Sequence, residues 1–426
     1  MGGANLMGTV MERNCSGEVR GKFPLPAILR RFAVAIAVLT VAAWGISFFC
    51  YRVLHLHYPY SYPMVPRQFR QLDFTMYSGC FPQLPHFPET CANYTAYPAS
   101  ALMVYQFFFL FPHPLLVFMA AGVGVFAVAA ILLARALVRR GVAWRSAYLY
   151  CGTALICSYP ILFVMDQGNI EVYLWLVLAL GVWAYMRGGW TLAATLFGVA
   201  ASMKLYPAVY LGLLLAKKRY KAFFFGILVA ILATIVSLWI LGPTIHLAYL
   251  GVNQRLHNFG STYVSTTQPG GIGFDHSLFS LVKASLPDHN YQAYVGLYLP
   301  LAAVVGTVVY FWRIWRLPRI NQVLALTIAA VVLPPFSIEY TLIHLYIPWA
   351  LLTLYAVETA ESSGSLQRVR GLGVCFVCFA FLMTPESYFI VDKIRFSGQL
   401  KALVLVALFV AALRYPFAET VETKSA

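Results

Sequence analysis

Asp73 is the acid whose surroundings best suit chemistry. It lies in Gln-Leu-Asp-Phe-Thr-Met-Tyr, within a long polar segment in which Glu89 is the other acid. Aromatic neighbours can desolvate a carboxylate and raise its pKa, which suits a general base. The alternative interpretation is a solvated loop acid, and the residues alone favour that alternative.

Lys204 is the second candidate, because it lies in Ser-Met-Lys-Leu-Tyr-Pro between apolar runs. A cation within a membrane costs about 3 kcal/mol on insertion scales, so it indicates a functional site by default. A lipid phosphate is a natural partner for its ammonium group. The alternative is a side chain that extends to the membrane surface.

Other polar residues are concentrated in a few short segments. Asp166-Gln167-Gly168-Asn169 forms a polar turn between apolar runs, and turn geometry alone can require these residue types. Taken singly, each further candidate is more often structural than catalytic. These candidates are Arg255, His257, Asp275, His276, Glu339, Tyr340 and His344. The sequence contains no Walker A, HExxH, GxSxG or dinucleotide-binding motif.

The composition places these residues in a membrane protein. Apolar residues make up 61% of the chain and charged residues 11%, whereas soluble domains have about 25% charged residues. The net charge of +15 does not indicate nucleic-acid binding, because the basic residues lie between apolar runs, as in cytoplasmic loops. Cys375 and Cys378 have CxxC spacing inside an apolar run, which favours core packing over metal or redox chemistry.

The apolar runs predict an all-α, polytopic membrane protein with about twelve transmembrane helices. They lie near 32–52, 113–134, 147–165, 170–186, 189–203, 205–216, 222–242, 292–312, 321–336, 340–357, 371–390 and 398–413. A basic tail, 1–31, precedes this membrane domain, 32–413, and a second tail, 414–426, follows it. The first run has no cleavage site and is expected to stay as an anchor.

The distribution of basic residues predicts the topology. With both termini in the cytoplasm, most Lys and Arg residues fall inside. The cluster at 217–221 does so only if the runs at 189–203 and 205–216 form a hairpin. All nine histidines then lie at the outer face, with two long outer loops near 53–112 and 243–291. We expect these loops to cover an outward-facing cavity, and whether Cys80 and Cys91 form a disulfide there stays open.

Several of these segments together resemble glycosyltransferase family 87, whose members use polyprenyl-phosphate sugars, mannose above all, and have the C-type membrane fold. The resemblance runs from about residue 70 to 357. The matching elements are Asp73, Tyr97-Pro98, Asp166–Asn169, Gly198–Lys204 with Pro207, the basic residues at 217–221, Asp275–Leu278, Pro335–Tyr340 and His344. The turn reads Gln-Gly-Asn rather than Gly-Gln-x-Asn, and Ile338 stands where Trp is common. These departures concern the sugar and acceptor more than the fold.

The resemblance implies an inverting transfer of a hexose from a polyprenyl phosphate to a glycan or glycolipid of the cell envelope, at the outer face of the plasma membrane. Asp73 would be the general base. The implied donor-binding residues are Lys204, Arg255, His276 and His344, and the implied acceptor-binding or capping residues are Tyr77, Tyr97 and Asn169. No cofactor or nucleic acid is expected, and no metal ligand is predicted, although a divalent metal stays open.

Two other classes of membrane protein fit the same composition. A transporter or flippase of lipid-linked sugars needs a similar number of helices, but it often has matching broken helices in two halves. Here only one interrupted hairpin, around Lys204, is evident. A glycan polymerase or ligase would use Arg and His residues of the outer loops rather than an Asp.

Overall fold

The structure, a computed structural model, describes residues 23–55, 72–75, 97–265, 273–286, 291–361, 366–385, 390–391, 394–395 and 397–417. In these ranges the chain is almost entirely helical. The α-helices are α1 (Ala27–Phe48), α2 (Leu72–Thr75), α3 (Ala99–Phe109), α4 (Pro114–Arg139), α5 (Trp144–Ile156), α6 (Tyr159–Gln167), α7 (Glu171–Met186), α8 (Trp190–Met203), α9 (Leu211–Ala216), α10 (Tyr220–Leu241), α11 (Ile245–Phe259), α12 (Leu278–Ser285), α13 (Gln292–Trp312), α14 (Arg319–Val332), α15 (Tyr346–Glu361), α16 (Leu366–Met383) and α17 (Ser397–Arg414).

Short elements of other types complete the fold. Three segments are 3-10 helical and two are π-helical: Tyr206–Tyr210, Ile314–Arg316 and Glu339–Leu345, then Phe49–Val53 and Gly260–Val264. Strands β1 (Ile390–Val391) and β2 (Ile394–Arg395) pair antiparallel, with Ile390 opposite Arg395.

The helical membrane architecture is confirmed, but the predicted number of about twelve spans is not. Within the described ranges, six helices are long and apolar enough to cross a membrane, and the bent pair α5–α6 would make seven. Six shorter apolar helices of 10–17 residues accompany them. Apolar runs predict helices well, but they do not predict where a helix ends early.

The bend between α5 and α6 has a local cause. The hydroxyl of Ser158 accepts a hydrogen bond from the Ile161 backbone N–H at 3.1 Å and begins a new helix there. Pro160 lies in the first turn of α6, where its missing N–H is tolerated. The helices therefore meet at 50°, and α6 carries the Asp166–Asn169 turn towards Asp73.

The chain turns back at Lys204, as the hairpin interpretation requires. Lys204 has extended backbone angles (φ −147°, ψ 152°), which end α8. Arg219, beyond α9, lies over the ring of Trp190 at the start of α8, with 5.0 Å from its guanidinium carbon to the ring centroid. The two arms therefore begin and end at the same end of the bundle.

Close packing of α8 against α10 holds the arm that ends at Lys204. A Cβ atom at Gly198 would collide with the carbonyl oxygen of Gly226 and lie 2.9 Å from the Cβ of Val229. Only glycine allows this approach, as is common between membrane helices. The small residues before Lys204 therefore have a packing function.

The two predicted outer loops contain helices where they are described. Helix α3 occupies the end of the first, 53–112. Helices α11 and α12 lie in the second, 243–291. Cys80 and Cys91 lie outside the described residues.

At one end of the bundle, several arginine side chains contact residues of neighbouring helices. Nε of Arg140 lies 2.7 Å from Oε1 of Glu358, and Phe23 pairs with Val142 in an isolated bridge. Further contacts at this end join Arg319 to Met186, Arg313 to Leu413 and Arg219 to Trp190. The turn at Asn169 and the turn at Lys204 lie at the opposite end, so the polar candidate residues and the basic clusters are separated by the length of the bundle.

Candidate active site

Asp73 is positioned by its neighbour Phe74. The Phe74 ring is buried and stacks on Phe109, with 4.9 Å between ring centroids. It also contacts Phe118 at 4.9 Å and Tyr105 at 5.9 Å. Burial of such a ring anchors the short helix α2 to the bundle. Asp73, one residue earlier, is consequently held half-buried against the turn that follows α6.

Asn169 joins Asp73 to Tyr97. Its Nδ2 donates to Oδ2 of Asp73 and to the hydroxyl of Tyr97, both at 2.6 Å. Its Oδ1 accepts from the backbone N–H of Glu171 at 3.0 Å. Gly168 before it ends α6 with φ 63°, a left-handed conformation that glycine adopts without strain. The polar turn thus places three candidate residues in direct contact.

The environment of Asp73 raises its pKa. Burial is the main cause, because removal from water disfavours the charged form. The hydrogen bond from Asn169 and the positive charge of Lys204 act in the opposite direction, and the negative charge of Glu171 adds to the increase. This is the balance expected of a carboxyl group that accepts a proton during a reaction.

Glu171 is the central residue that the sequence analysis missed. Its side chain is fully buried, and Oε1 accepts from Nζ of Lys204 at 2.5 Å. Oε2 accepts from the Tyr206 hydroxyl at 2.6 Å and lies 2.8 Å from Nε2 of His344. An acid beginning an apolar helix, two residues after a polar turn, was the available signal. Its partners lie 33 and 173 residues away.

The arrangement around Glu171 defines the hydrogen-bonding state of His344. Nε2 of His344 faces the Tyr206 hydroxyl at 2.7 Å as well as the carboxylate. Since a carboxylate only accepts, Nε2 carries a hydrogen. In the part of the chain that the structure describes, Nδ1 has no hydrogen-bond partner.

Lys204 lies close to the rings of two aromatic residues, Tyr97 and Tyr340. Its Nζ is 4.9 Å from the centroid of the Tyr97 ring and 5.2 Å from that of Tyr340. Such cation–π contacts stabilise a partly desolvated ammonium group. The side chain remains 15% exposed, so that the ion pair with Glu171 leaves part of it open to a ligand.

The residues in contact around Glu171 form a first polar group: Asp73, Tyr97, Asn169, Lys204, Tyr206, Tyr340 and His344. A second polar group, around Glu339, lies beside it, and Tyr340 follows Glu339 directly in the sequence. Nζ of Lys401 in α17 is 2.6 Å from Oε2 of Glu339, and Oε1 of Glu339 is 3.8 Å from Nδ1 of His276. Nε2 of His276 lies 3.1 Å from the hydroxyls of Ser337 and Thr341. His276 is therefore fully buried in this second group rather than against Asp73.

Asp275 organises the loop of the second group. Its Oδ1 accepts from the backbone N–H groups of Ser277 and Ser337, both at 3.0 Å, and its Oδ2 lies 3.5 Å from Nζ of Lys283. Burial raises the pKa of Asp275 and lowers that of Lys283, while each charge opposes the shift of the other. Neither Lys283 nor Lys401 was predicted.

Comparison with known families decides the identity. The family model of glycosyltransferase family 87 matches residues 94–338, more than half of the chain. This chain belongs to glycosyltransferase family 87. It is therefore a membrane glycosyltransferase. No curated protein and no solved structure matched the chain.

The family 87 match covers most of the first polar group. Tyr97, Asn169, Glu171 and Lys204 lie inside it, whereas Asp73 precedes it. His344 and all of α17 follow it. These residues nevertheless contact the matched region directly. Asp73 contacts Asn169, His344 contacts Glu171, and Gly398 of α17 contacts Gly273.

The remaining predicted positions of this glycosyltransferase differ in their surroundings. Arg255 is buried on α11, and its Nε donates to the carbonyl of Gly251 at 2.8 Å. Tyr77 lies outside the described residues. Cys375 and Cys378 are buried and unpaired in α16, in agreement with core packing. In the described ranges, no group of three or more His, Cys, Asp or Glu residues could hold a metal ion.

Proposed function

We propose that this family 87 enzyme transfers a hexose, with mannose favoured, from a polyprenyl phosphate to a hydroxyl group of a glycan or glycolipid. Asp73 acts as the general base and Lys204 stabilises the phosphate that leaves. The family match supports sugar transfer, and the donor and the sugar follow from the resemblance set out above.

The observation that carries the proposal is the connection between Asp73 and Lys204. Asn169 holds Asp73 and Tyr97 together, and the ring of Tyr97 lies beneath the ammonium of Lys204. A half-buried carboxyl group with a raised pKa therefore lies close to a fixed cation. Transfer from a sugar phosphate requires this combination, because one group accepts a proton while another compensates the developing negative charge.

The step is a single displacement at the anomeric carbon. The acceptor oxygen forms a bond to this carbon as its proton passes to Asp73. The bond from the carbon to the phosphate oxygen breaks, and its electron pair leaves with the polyprenyl phosphate. Attack opposite to the leaving group inverts the configuration, and a single carboxylate base suffices for it.

The ion pair with Glu171 gives Lys204 a fixed position. Within the described residues, one of the three ammonium hydrogens is donated to Glu171, which leaves the remaining ones for phosphate oxygens. A preorganised donor stabilises a transition state better than a mobile one, because it does not have to reorganise during the reaction. Glu171 thus supports the phosphate-binding role of Lys204.

The lipid part of the donor has direct access to the bundle. Every residue of α13 is at least partly exposed, and only five of the 26 residues of α4 are buried. These surfaces suit hydrocarbon, so that a polyprenyl chain can stay in the membrane while its phosphate reaches Lys204. We place this site at the non-cytoplasmic face of the plasma membrane, with both termini in the cytoplasm, because basic residues collect at the opposite end.

Purified protein in detergent tests the proposal. We expect transfer of radiolabelled mannose from synthetic polyprenyl-phosphate mannose to a mannoside acceptor, with inversion shown by NMR of the product. Asp73→Asn should abolish transfer, whereas Glu358→Gln at the opposite end should not. Retained transfer by Asp73→Asn in protein of normal thermal stability contradicts the role of Asp73 as base.

The same assay separates sugar transfer from transport. A pure transporter or flippase does not form a new glycosidic bond without a membrane barrier, so product formation in micelles excludes it. Other hexoses on the same lipid phosphate, offered in parallel, establish which sugar is used.

A further inference from the structure

The first turn of α17 lies against the second polar group through three separate contacts. Nζ of Lys401 pairs with Glu339 at 2.6 Å, and the backbone N–H of Gly398 donates to the carbonyl of Gly273 at 3.2 Å. A Cβ atom at Gly398 would collide with the backbone of Asp275. Helix α17 thus holds the loop at 273–275 and the segment at 337–341 together, although it lies outside the family match.

The Lys401–Glu339 pair is among the most buried charges of the protein. The side chain of Lys401 is 1% exposed and that of Glu339 is fully buried. Nζ of Lys401 also lies 5.5 Å from the centroid of the Tyr159 ring in α6. Burial of two charges gives little net stability compared with an apolar pair of the same size. Its effect is geometric, because it fixes the position of Glu339 relative to α6 and α17.

Tyr340 transmits this position to the proposed active site. It follows Glu339 directly, and its ring lies under Nζ of Lys204 at 5.2 Å. The same ring contacts Phe163 of α6, with 6.3 Å between centroids. A shift of Glu339 therefore moves one of the two rings between which Lys204 is held.

We infer that Lys401 is a positioning residue for sugar transfer, acting through Glu339 and Tyr340 on Lys204. This inference rests on the proposed function, since Lys204 is taken to stabilise the phosphate that leaves. The leaving phosphate gains negative charge in the transition state. Loss of the position of Lys204 therefore lowers kcat more than it weakens donor binding.

The decisive variant removes both charges. Lys401→Met alone removes the lysine partner of the buried Glu339 charge and endangers folding, whereas Lys401→Met with Glu339→Gln removes both charges of the pair. For the double variant in detergent we expect kcat to fall about tenfold, with a smaller change in donor KM, as for a small displacement of a catalytic group. Lys401→Arg, which keeps the ion pair, should retain most of the activity.

A matched control removes an ion pair from the other end of the bundle. Arg140→Met with Glu358→Gln should leave kcat, donor KM and thermal stability unchanged. A Lys401→Met, Glu339→Gln enzyme with wild-type kcat overturns the inference. So does a fall in kcat accompanied by a uniform loss of thermal stability that Lys401→Arg does not repair, because this indicates a general structural role.

Hydrogen–deuterium exchange gives a measurement that does not depend on the substrate. In the double variant, peptides spanning 334–345 and 273–283 should exchange faster, while peptides of α5 and α14 should not. Unchanged exchange at 334–345 overturns the inference even if transfer is never observed. Absence of transfer by the wild-type enzyme, by contrast, contradicts the proposed function and leaves the exchange result to decide whether Lys401 holds this segment.

Discussion

Nζ of Lys204 lies 2.5 Å from Oε1 of Glu171, although the two residues come from different helices and are 33 positions apart. Lys204 follows the last residue of α8 and Glu171 is the first residue of α7. The ion pair therefore joins the C-terminus of α8 to the N-terminus of α7. The pair holds the cation over the rings of Tyr97 and Tyr340 rather than letting it extend freely to the membrane surface. Because of this ion pair, Lys204 is part of a preorganised polar site.

Removal of the Glu171 charge should impair the enzyme strongly. In Glu171→Gln, Lys204 loses its ionic partner, and the amide replaces an acceptor that Tyr206 and His344 both approach. We expect kcat to fall about 100-fold, as when a preorganised charge contact of an active site is lost. Steady-state kinetics with the lipid-linked donor measure it. Glu358→Gln is the control, and similar values of kcat for the two variants would contradict this role of Glu171.

Asn169 should control the pH dependence of transfer. Its hydrogen bond stabilises the charged form of Asp73 and thereby opposes the increase in pKa caused by burial. In Asn169→Ala the pKa of Asp73 therefore rises further, and a higher pH is needed to deprotonate the base. The acidic limb of the profile of kcat/KM against pH should move to higher pH. A shift to lower pH, or no shift, is inconsistent with Asp73 as the titrating base.

Gly198 should tolerate no side chain. Alanine at this position collides with the carbonyl of Gly226 and forces α8 away from α10. Such overpacking costs about 1–3 kcal/mol, and we expect a lower Tm as well as reduced transfer, because Lys204 lies at the end of α8. Gly152→Ala in α5 is the matched control, since open space surrounds that position. Equal Tm values for the two variants would show that the α8–α10 contact is looser than described.

Phe74 should be required to hold Asp73 in place. Phe74→Ala removes a buried ring from a cluster with Tyr105, Phe109 and Phe118. In a rigid core, such a change lowers the free energy of unfolding by about 3–5 kcal/mol. Because α2 is short, we expect its detachment rather than global unfolding. Transfer should fall at least tenfold with a small change in Tm, whereas Phe74→Leu should be milder. A large loss of Tm with normal transfer would contradict the anchoring role.

Local patterns predicted the parts of the site that lie within one segment. The Asp166–Asn169 turn was recognised from its residue types, and Lys204 from its position between apolar runs. Tyr340 and His344 were named as candidates, and both contribute to the first polar group. Glu339, in the 3-10 segment Glu339–Leu345, pairs with Lys401 instead. The roles assigned to Arg255, His276 and Tyr77 remain predictions.

The predicted number of spans is not confirmed in the described residues. Hydropathy measures how apolar a run is, but Ser158 with Pro160 interrupts the helix within the single predicted run 147–165. The interruption at Lys204, by contrast, was expected from the sequence. These interruptions shorten the helices and create the turns that carry polar residues. A capping hydroxyl or a proline changes the geometry without changing the mean hydropathy of its surroundings.

By itself, the sequence determined that this protein is helical and resides in a membrane, because too few charged residues exist to cover a soluble surface. It also identified Asp73, Asn169 and Lys204 as unusual polar residues. Only the tertiary structure decided their partners. Glu171 meets His344, and Glu339 meets Lys401, across 173 and 62 positions. Such contacts depend on which helices pack together and at what angle, and no local spacing in the sequence encodes that.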